Sequence, residues 1–508
     1  MNTKLFVFPK LLNHTYFAYA WECLNLEVRT NNSNIVLLDY NESFGIPEIT
    51  SDTFDGFREN WISQVQSEFG KKLSVEKVIN PLNIDTDLNM DIFLQLDKGA
   101  QRSLKSIAAT QVFNCLHFSF FPNLFNELQP YYKSYVSTKV ICEDAITRYK
   151  PLEIILLNGR WPDQVAVTEI ARKFNLTTNH IEAGFPLESR WFYEKFQTSD
   201  LNLIDNYLKS SSKNIKEEKD LEHFATTWAS RQANSVTENV YLKNQTKVKT
   251  HKRMSSPTCT IFTSSIDEFY SNLPFEDFGW GTQENGIKSI VERLNIQNYV
   301  TTVRLHPNLG NKSWVDVIST YMELGKLRCR LVYPWEFESS YGLVDNSDLV
   351  ITWGSTIGLE AAFRGKKVAF FGPTIYRSLL RAEQLTPKNL VNFHFSEIDP
   401  IEKSNAIEAI YMSRNWGRFI SDTNPFKPCS FDCKILELHE NSFKLKAMAN
   451  FNEILKIFRG RLRTSPNQTH HYLLKVFGKK LSSRIMVLLV ELLAIALRKR
   501  ILTSREFL

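Results

Sequence analysis

Between residues 299 and 371 four short apolar runs, 299–305, 330–333, 349–353 and 367–371, alternate with polar turns and helix-like stretches. No other feature of the chain limits its fold as much. Continuous apolar runs this short, bounded by turn residues, read as strands buried on both faces. Strands regularly separated by helices predict right-handed crossovers and an open parallel sheet, covered on both sides, in an α/β fold. In such a sheet a ligand meets the chain beyond the carboxyl ends of the strands. The residues at those ends are Arg304-Leu305-His306-Pro307, the turn Glu338-Ser339-Ser340, and Gly354-Ser355-Thr356.

The last of these carries the most chemistry. Gly354 permits a tight turn, and Ser355 and Thr356 open a helix predicted over 356–363. A helix N-terminus offers unpaired N–H groups and the positive end of the dipole, which suits a phosphate. Gly358 is expected to keep the first turn thin enough for a ligand to approach, and Glu360 to accept from ribose hydroxyls. Singly, Ser355 is explained as well by an ordinary helix cap, and His306 by a strand end fixed by Pro307. Arg304, His306, Ser355, Thr356 and Glu360 at successive strand ends argue together for a phosphate site. A preceding strand, 258–263, ends in Ser264-Ser265-Ile266-Asp267-Glu268, with two hydroxyls and an acidic pair that suit phosphate or sugar, or else a simple hydroxyl turn. A helix over 283–294 follows it.

The first half repeats the alternation less clearly. Strands are expected at 33–39 and 73–79, helices at 54–69, 93–113 and 131–149, and an Asn/Asp-rich loop at 80–91 containing Asp85-Thr86-Asp87. Then a strand over 152–157 ends in Asn158-Gly159-Arg160, a helix covers 163–174, and a strand over 177–181 ends in Glu182-Ala183-Gly184. A carboxylate before glycine at a strand end is either a reactive group facing a cleft or an ion-pair partner of Arg160 or Arg190.

Taken in order, Arg-x-His-Pro, Ser-Ser-Tyr, Gly-Ser-Thr-x-Gly-x-Glu-Ala and Gly-Lys-x-Val resemble the donor half of bacterial surface-polysaccharide glycosyltransferases, those of capsule and lipopolysaccharide. The same motifs are more distantly similar to bacterial sialyltransferases and polyol-phosphate polymerases. The resemblance extends over about 255–380 and in part over 150–205. It implies the GT-B architecture, two facing Rossmann-like domains, and a nucleotide-sugar donor whose phosphates are held by the His-Pro pair and the serine-rich turns. The donor-binding set would be Ser264, Ser265, Glu268, Arg304, Ser340, Gly354, Ser355, Thr356 and Glu360, with His306 at the reacting phosphate. Glycosyl transfer needs a group to accept the proton of the acceptor hydroxyl. Relatives have an acidic residue before glycine there, often as a pair; here Ile181 precedes Glu182. Glu182 is the expected base, His180 the second candidate, and Asn158 and Arg160 the acceptor-side residues. The Asp85/Asp87 pair matches a metal-holding motif of glycosyltransferases of another fold, but a solvated loop explains it better. With phosphate charge met by Arg304, His306 and helix ends, no metal is expected.

At 508 residues the chain is long for one domain. Domains are expected at 1–250 and 255–420, with a helical extension over 421–508. A formal charge of +6 excludes a nucleic-acid partner as the leading reading. The seven cysteines are scattered, with no zinc-binding set around Cys429 and Cys433, and fit reduced core thiols in a cytoplasm. The apolar stretch at the N-terminus is broken by Pro9 and Lys10 and is too short for a leader peptide. The run 485–497, flanked by lysines and arginines, is short of the ~20 residues that span a bilayer. It reads as a basic amphipathic helix on the inner face of the cytoplasmic membrane, or as a terminal helix packed on its own domain. The functional expectation is a glycosyltransferase acting on a glycan or lipid-linked glycan. Its alternatives are a polyol-phosphate transferase, a nucleotide-sugar epimerase, and a non-catalytic scaffold of polysaccharide assembly.

Overall fold

A computed structural model describes residues 3–8, 34–40, 73–78, 87–112, 123–157, 159–183, 190–194, 201–211, 218–234, 255–266, 278–414 and 418–421, with a few positions in 63–70 and 486–490. Most of the expected helix at 54–69, whose described positions Ser63, Gln66 and Ser67 are helical, and the residues Asp85, Asn158 and Glu268 lie outside the described residues.

Two sheets organise the chain. The first contains β1 (Thr3–Phe8), β2 (Asn34–Tyr40), β3 (Leu73–Val78), β4 (Glu153–Leu157), β5 (Thr177–Ala183) and β6 (Arg190–Glu194). The second contains β7 (Thr258–Phe262), β8 (Val300–Arg304), β9 (Arg330–Val332), β10 (Leu349–Thr352), β11 (Lys367–Phe370) and β12 (Glu383–Gln384). A late strand, β13 (Arg418–Ser421), returns to the first sheet beside β6. The strand orders are β13-β6-β5-β4-β1-β2-β3 and β12-β11-β10-β7-β8-β9. All neighbours are parallel except at β6, which is antiparallel to both β5 and β13. Counted from its own first strand, each sheet runs 3-2-1-4-5 outward from one edge. These are two Rossmann-like α/β domains, as the alternation predicts. In each, strand order reverses beside the first strand, and a crevice opens there because successive helices depart to opposite faces. The reversal lies between β1 and β4 in one domain and between β7 and β10 in the other.

Burial follows the pleat. Leu349 and Ile351 of β10, with Cys259 and Ile261 of β7, face a core shared with the helices Gln283–Ile296 and Trp314–Leu324. Val350 and Phe262 face a second core shared with the helices Ile357–Phe363 and Lys403–Arg414. Both faces of the sheet are therefore apolar, which explains the unbroken hydrophobic runs of the sequence. The helices Leu201–Ser211 and Glu218–Asn234 also join the second core, through Ile204, Leu208, Ala225 and Trp228. Asp205 accepts from both the N–H and the hydroxyl of Ser378. These two helices fall in the expected first domain, yet they pack on the second.

Three local readings change. No element is expected at the N-terminus, yet Thr3–Phe8 is a central strand, with Leu5, Phe6 and Val7 buried. The single helix expected at 93–113 is divided into Met90–Gln95, Lys98–Ile107 and a π-helical turn, Ala108–Val112, because Asp97 caps a new start by accepting from the Gly99 N–H. In the tail, Met486 and Val490 are buried in the second domain's core, one helical turn apart. At those positions the apolar side of the tail is occupied by the protein itself.

Candidate active site

The second sheet's reversal brings together the loop after β7 and the turn after β10. Leaving β7, the chain runs through Thr263, Ser264 and Ser265, all buried. Each is tied to an adjacent element. Thr263 Oγ1 accepts from the His306 backbone N–H at 2.7 Å, locking the ends of β7 and β8 together. Gln283, at the start of its helix, accepts from the Ser264 N–H at 2.7 Å and donates back to the Ser264 carbonyl. Ser265 Oγ accepts from Asn308 Nδ2 at 2.8 Å. The Ser264 hydroxyl makes no protein hydrogen bond although it is buried, an unusual state for a polar atom unless a ligand or water completes it. It lines a cavity of about 30 Å³ with Ser265, Gln283, His306 and Lys312.

His306 ends β8 and caps a short 3-10 turn, Pro307–Asn311. Its Nδ1 accepts from the Asn308 N–H at 3.2 Å, so in the neutral ring the proton sits on Nε2. Arg304 behaves differently from the expectation of a phosphate clamp. It is 2 % exposed, donates from Nη1 to the Tyr333 carbonyl at 2.6 Å, and burial pushes its pKa down to about 10. The guanidinium builds the sheet end instead of presenting itself at the cavity.

The turn after β10 is shaped as the sequence predicts. Ser355 N–H donates to Thr352 Oγ1, and Ser355 Oγ accepts from the Ile357 N–H. Tyr376 clamps the turn from outside by donating its hydroxyl to the Ser355 carbonyl at 2.6 Å. Gly354 and Ser355 are half-buried and Thr356 is exposed. Gly358 has a different purpose from the one expected. A Cβ there would lie 2.8 Å from Phe370 Cε1 and from Thr352 Cγ2, so the glycine seats the helix on the sheet. Glu360 lies on the buried side of that helix, 5 % exposed. Burial pushes its pKa up to about 7, while the hydroxyls of Tyr341 and Thr356 and the charges of Arg414 and Arg364 pull the other way. As placed, it is a core carboxyl behind the turn. Ser340 opens the helix Ser340–Asp345, which is capped by Ser339 and packs on the same face as Glu360.

In the first domain, Gly159 lies at the reversal beside β4, where its N–H donates to Gln164 Oε1 with φ at +78°. Half-buried Arg160 follows, its carbonyl accepting from Ser103 Oγ. Glu182 belongs to β5 itself, paired opposite Trp191 of β6, one residue past the last β4–β5 pair. His180 is unsuited to act as the base. It is fully buried, burial pushes its pKa down to about 3, and its Nε2 lies 3.3 Å from Thr178 Oγ1. Asp87 is exposed and accepts from Gln129 Nε2. Among the described residues no three His, Cys, Asp or Glu side chains cluster as metal ligands, and no helix is long and apolar enough to cross a membrane.

The structure thus joins Ser264, Ser265 and His306 around one cavity, sets Gly354, Ser355 and Thr356 across the reversal from it, and turns Arg304 and Glu360 inward. Gln283, Asn308, Lys312 and Tyr376 complete the site. Of these only Asn308 had a local signal, its position directly after His-Pro.

No curated protein sequence matches the chain. Among solved structures it is similar to the β-Kdo 2,7 transferase of KpsC from Thermosulfurimonas dismutans, with 14% identity over 53% of this chain and 78% of that one and a TM-score of 0.34. The β-Kdo 2,4 transferase of the same protein matches at 13% identity over 51% and 79%, also with a TM-score of 0.34. A UDP-GlcNAc 2-epimerase from Neisseria meningitidis matches at 13% identity over 81% and 98%, with a TM-score of 0.26. Likenesses this loose carry no function to the present chain. The family finding is narrower in extent and more specific: residues 201–388, which begin where the helices join the second core and contain the whole β7–β10 site, match the model of the capsule polysaccharide biosynthesis protein family.

Proposed function

We propose that the protein is a glycosyltransferase of capsule polysaccharide assembly, with GT-B architecture and a nucleotide-activated sugar bound at the carboxyl end of the second sheet. The observation that carries this reading is the buried, unpartnered Ser264 hydroxyl in a cavity at the strand reversal, inside the segment that matches the capsule family. Hydroxyls, backbone N–H groups and the Nε2 side of His306 suit the oxygens of a diphosphate or monophosphate donor. The acceptor, a glycan or lipid-linked glycan at the cytoplasmic face, would meet the sugar from the first domain. There Glu182 would take the proton of the attacking hydroxyl as the glycosidic bond forms and the nucleotide leaves. This chemistry asks for no metal, and membrane contact would come from basic residues of the tail.

The test is calorimetric binding of CMP, CDP, UDP, GDP and dTDP in EDTA, followed by transfer assays with the sugar donors of whichever nucleotide binds. One nucleotide should bind, and transfer to a capsule oligosaccharide should follow without added metal. Glu182→Gln should lower turnover ~10²–10⁴-fold while nucleotide affinity stays within about twofold, because a general base acts on the acceptor alone. Binding of no nucleotide would favour the scaffold, and conversion of the donor sugar without acceptor the epimerase. Strict dependence on added metal would remove the metal-free mechanism.

A further inference from the structure

Lys312 is buried, 5 % exposed, although lysine seldom is. Its backbone is held on both sides. It closes the 3-10 turn through its N–H to the Leu309 carbonyl, and Ser313 next to it caps the helix Trp314–Leu324. The side chain both lines the Ser264 cavity and leaves its own domain. Its Nζ donates to the carbonyl of Ala109, in the π-helical turn of the first domain, at 3.3 Å. Charged N–H donors favour about 2.7–2.9 Å, so this bond is long. A π turn interrupts the regular helical ladder, and such turns recur at functional sites.

The cavity is narrow, about 30 Å³, and opens to solvent past Ser264, His306 and Lys312. An anionic oxygen entering it comes to lie beside the Ser264 hydroxyl and the Lys312 side chain. The strand ends are fixed by Thr263 and Gln283, whereas lysine has a flexible four-carbon stem. We propose that Lys312 is an anion-binding latch: an anionic oxygen of the ligand, of the phosphate class, enters between Ser264 Oγ and Lys312 Nζ and draws the ammonium away from Ala109, so that occupancy of the second domain's site releases a tie to the first domain. This rests on the donor-site reading above and adds to it the residue that senses the charge and couples the two domains.

Inorganic pyrophosphate is the probe, because it carries the anion without base or sugar. Calorimetry and hydrogen exchange of peptides over 98–112 are measured on the full chain. Wild type should bind pyrophosphate, and binding should speed exchange over 108–112. Lys312→Met should bind at least about tenfold more weakly, as expected for a lost charged hydrogen bond, and should show the faster 108–112 exchange without ligand. Ser264→Ala loses no hydrogen bond of the ligand-free protein. It should keep the wild-type melting temperature and bind pyrophosphate about tenfold more weakly, so a poorly folded Lys312→Met leaves the test intact. Unchanged affinity in both variants, or 108–112 exchange indifferent to pyrophosphate, overturns the latch. If wild type still binds a nucleotide, the donor-site reading survives that result. If wild type binds neither pyrophosphate nor any nucleotide, both fall.

Discussion

His306 has two duties that one substitution can separate. Nδ1 accepts from the Asn308 N–H and caps the turn, while the ring also lines the Ser264 cavity. His306→Ala should lose both, with ~1 kcal/mol less stability from the missing cap and weaker nucleotide binding. Asn is a good cap, so His306→Asn should restore the stability in a denaturant titration and leave binding weak. If His306→Asn binds nucleotide like wild type, the ring serves only the turn. Glu360 gives a pH signature. Its folded pKa, about 7, lies above its ordinary value of 4.5 because burial penalises the carboxylate. The folded state therefore holds the proton more tightly than the unfolded one. That stabilisation is complete below about pH 4.5 and is lost as pH rises through 7, by roughly 3 kcal/mol at most. Glu360→Gln should flatten this part of the stability–pH curve; an unchanged slope would show that another group is responsible. The ring's tautomer is set locally, by the Asn308 N–H two residues on, whereas the carboxyl's burial was not legible in the sequence, since it depends on neighbours such as Tyr341 and Arg414 farther along the chain.

The elements were more legible than the residues. Each apolar run in 299–371 became a strand within a residue or two, because a strand covered on both faces has to be apolar throughout. β1 escaped notice because its three buried residues lie between Lys4 and Pro9 and form too short a signal. Gly358 shows how a correct element can carry a wrong purpose: the helix begins as expected, and the glycine answers to Phe370 and Thr352 across the interface. Gly358→Ala should therefore cost ~1–3 kcal/mol by overpacking. Its effect should be on the melting temperature, with the nucleotide Kd of the folded fraction within about twofold of wild type. A loss of affinity at wild-type stability would restore the ligand-approach reading.

At the scale of the whole molecule, the chain passes between its domains more than once. Residues 201–234 pack on the second domain, and β13 returns to the first sheet after the helix Lys403–Arg414. The tail then contributes Met486 and Val490 to the second core. Removing residues beyond 465 should uncover that core. Burial of each such side chain contributes about 1.5–3 kcal/mol, so the truncated protein should melt lower and bind a hydrophobic dye. A truncated protein with the full-length melting temperature would free the tail for the membrane surface.

What the sequence determined alone is what local periodicity encodes: an α/β chain whose strand-helix alternation recurs in both halves, and strand ends rich in Ser, Thr and His. These follow from short-range patterns of apolar and turn-forming residues, which act before any distant contact exists. Strand order, by contrast, was decided only in the folded chain. It placed the reversal between β7 and β10 and so chose Ser264, Ser265 and Gly354–Thr356 as neighbours. Tertiary packing also turned Arg304 toward the Tyr333 carbonyl, buried Glu360, and carried Lys312 across to Ala109. The physical reason is the same in all three cases. A polar side chain's role is set by the partners that satisfy it once buried, and those partners lie 29 to 203 residues away where they are backbone carbonyls.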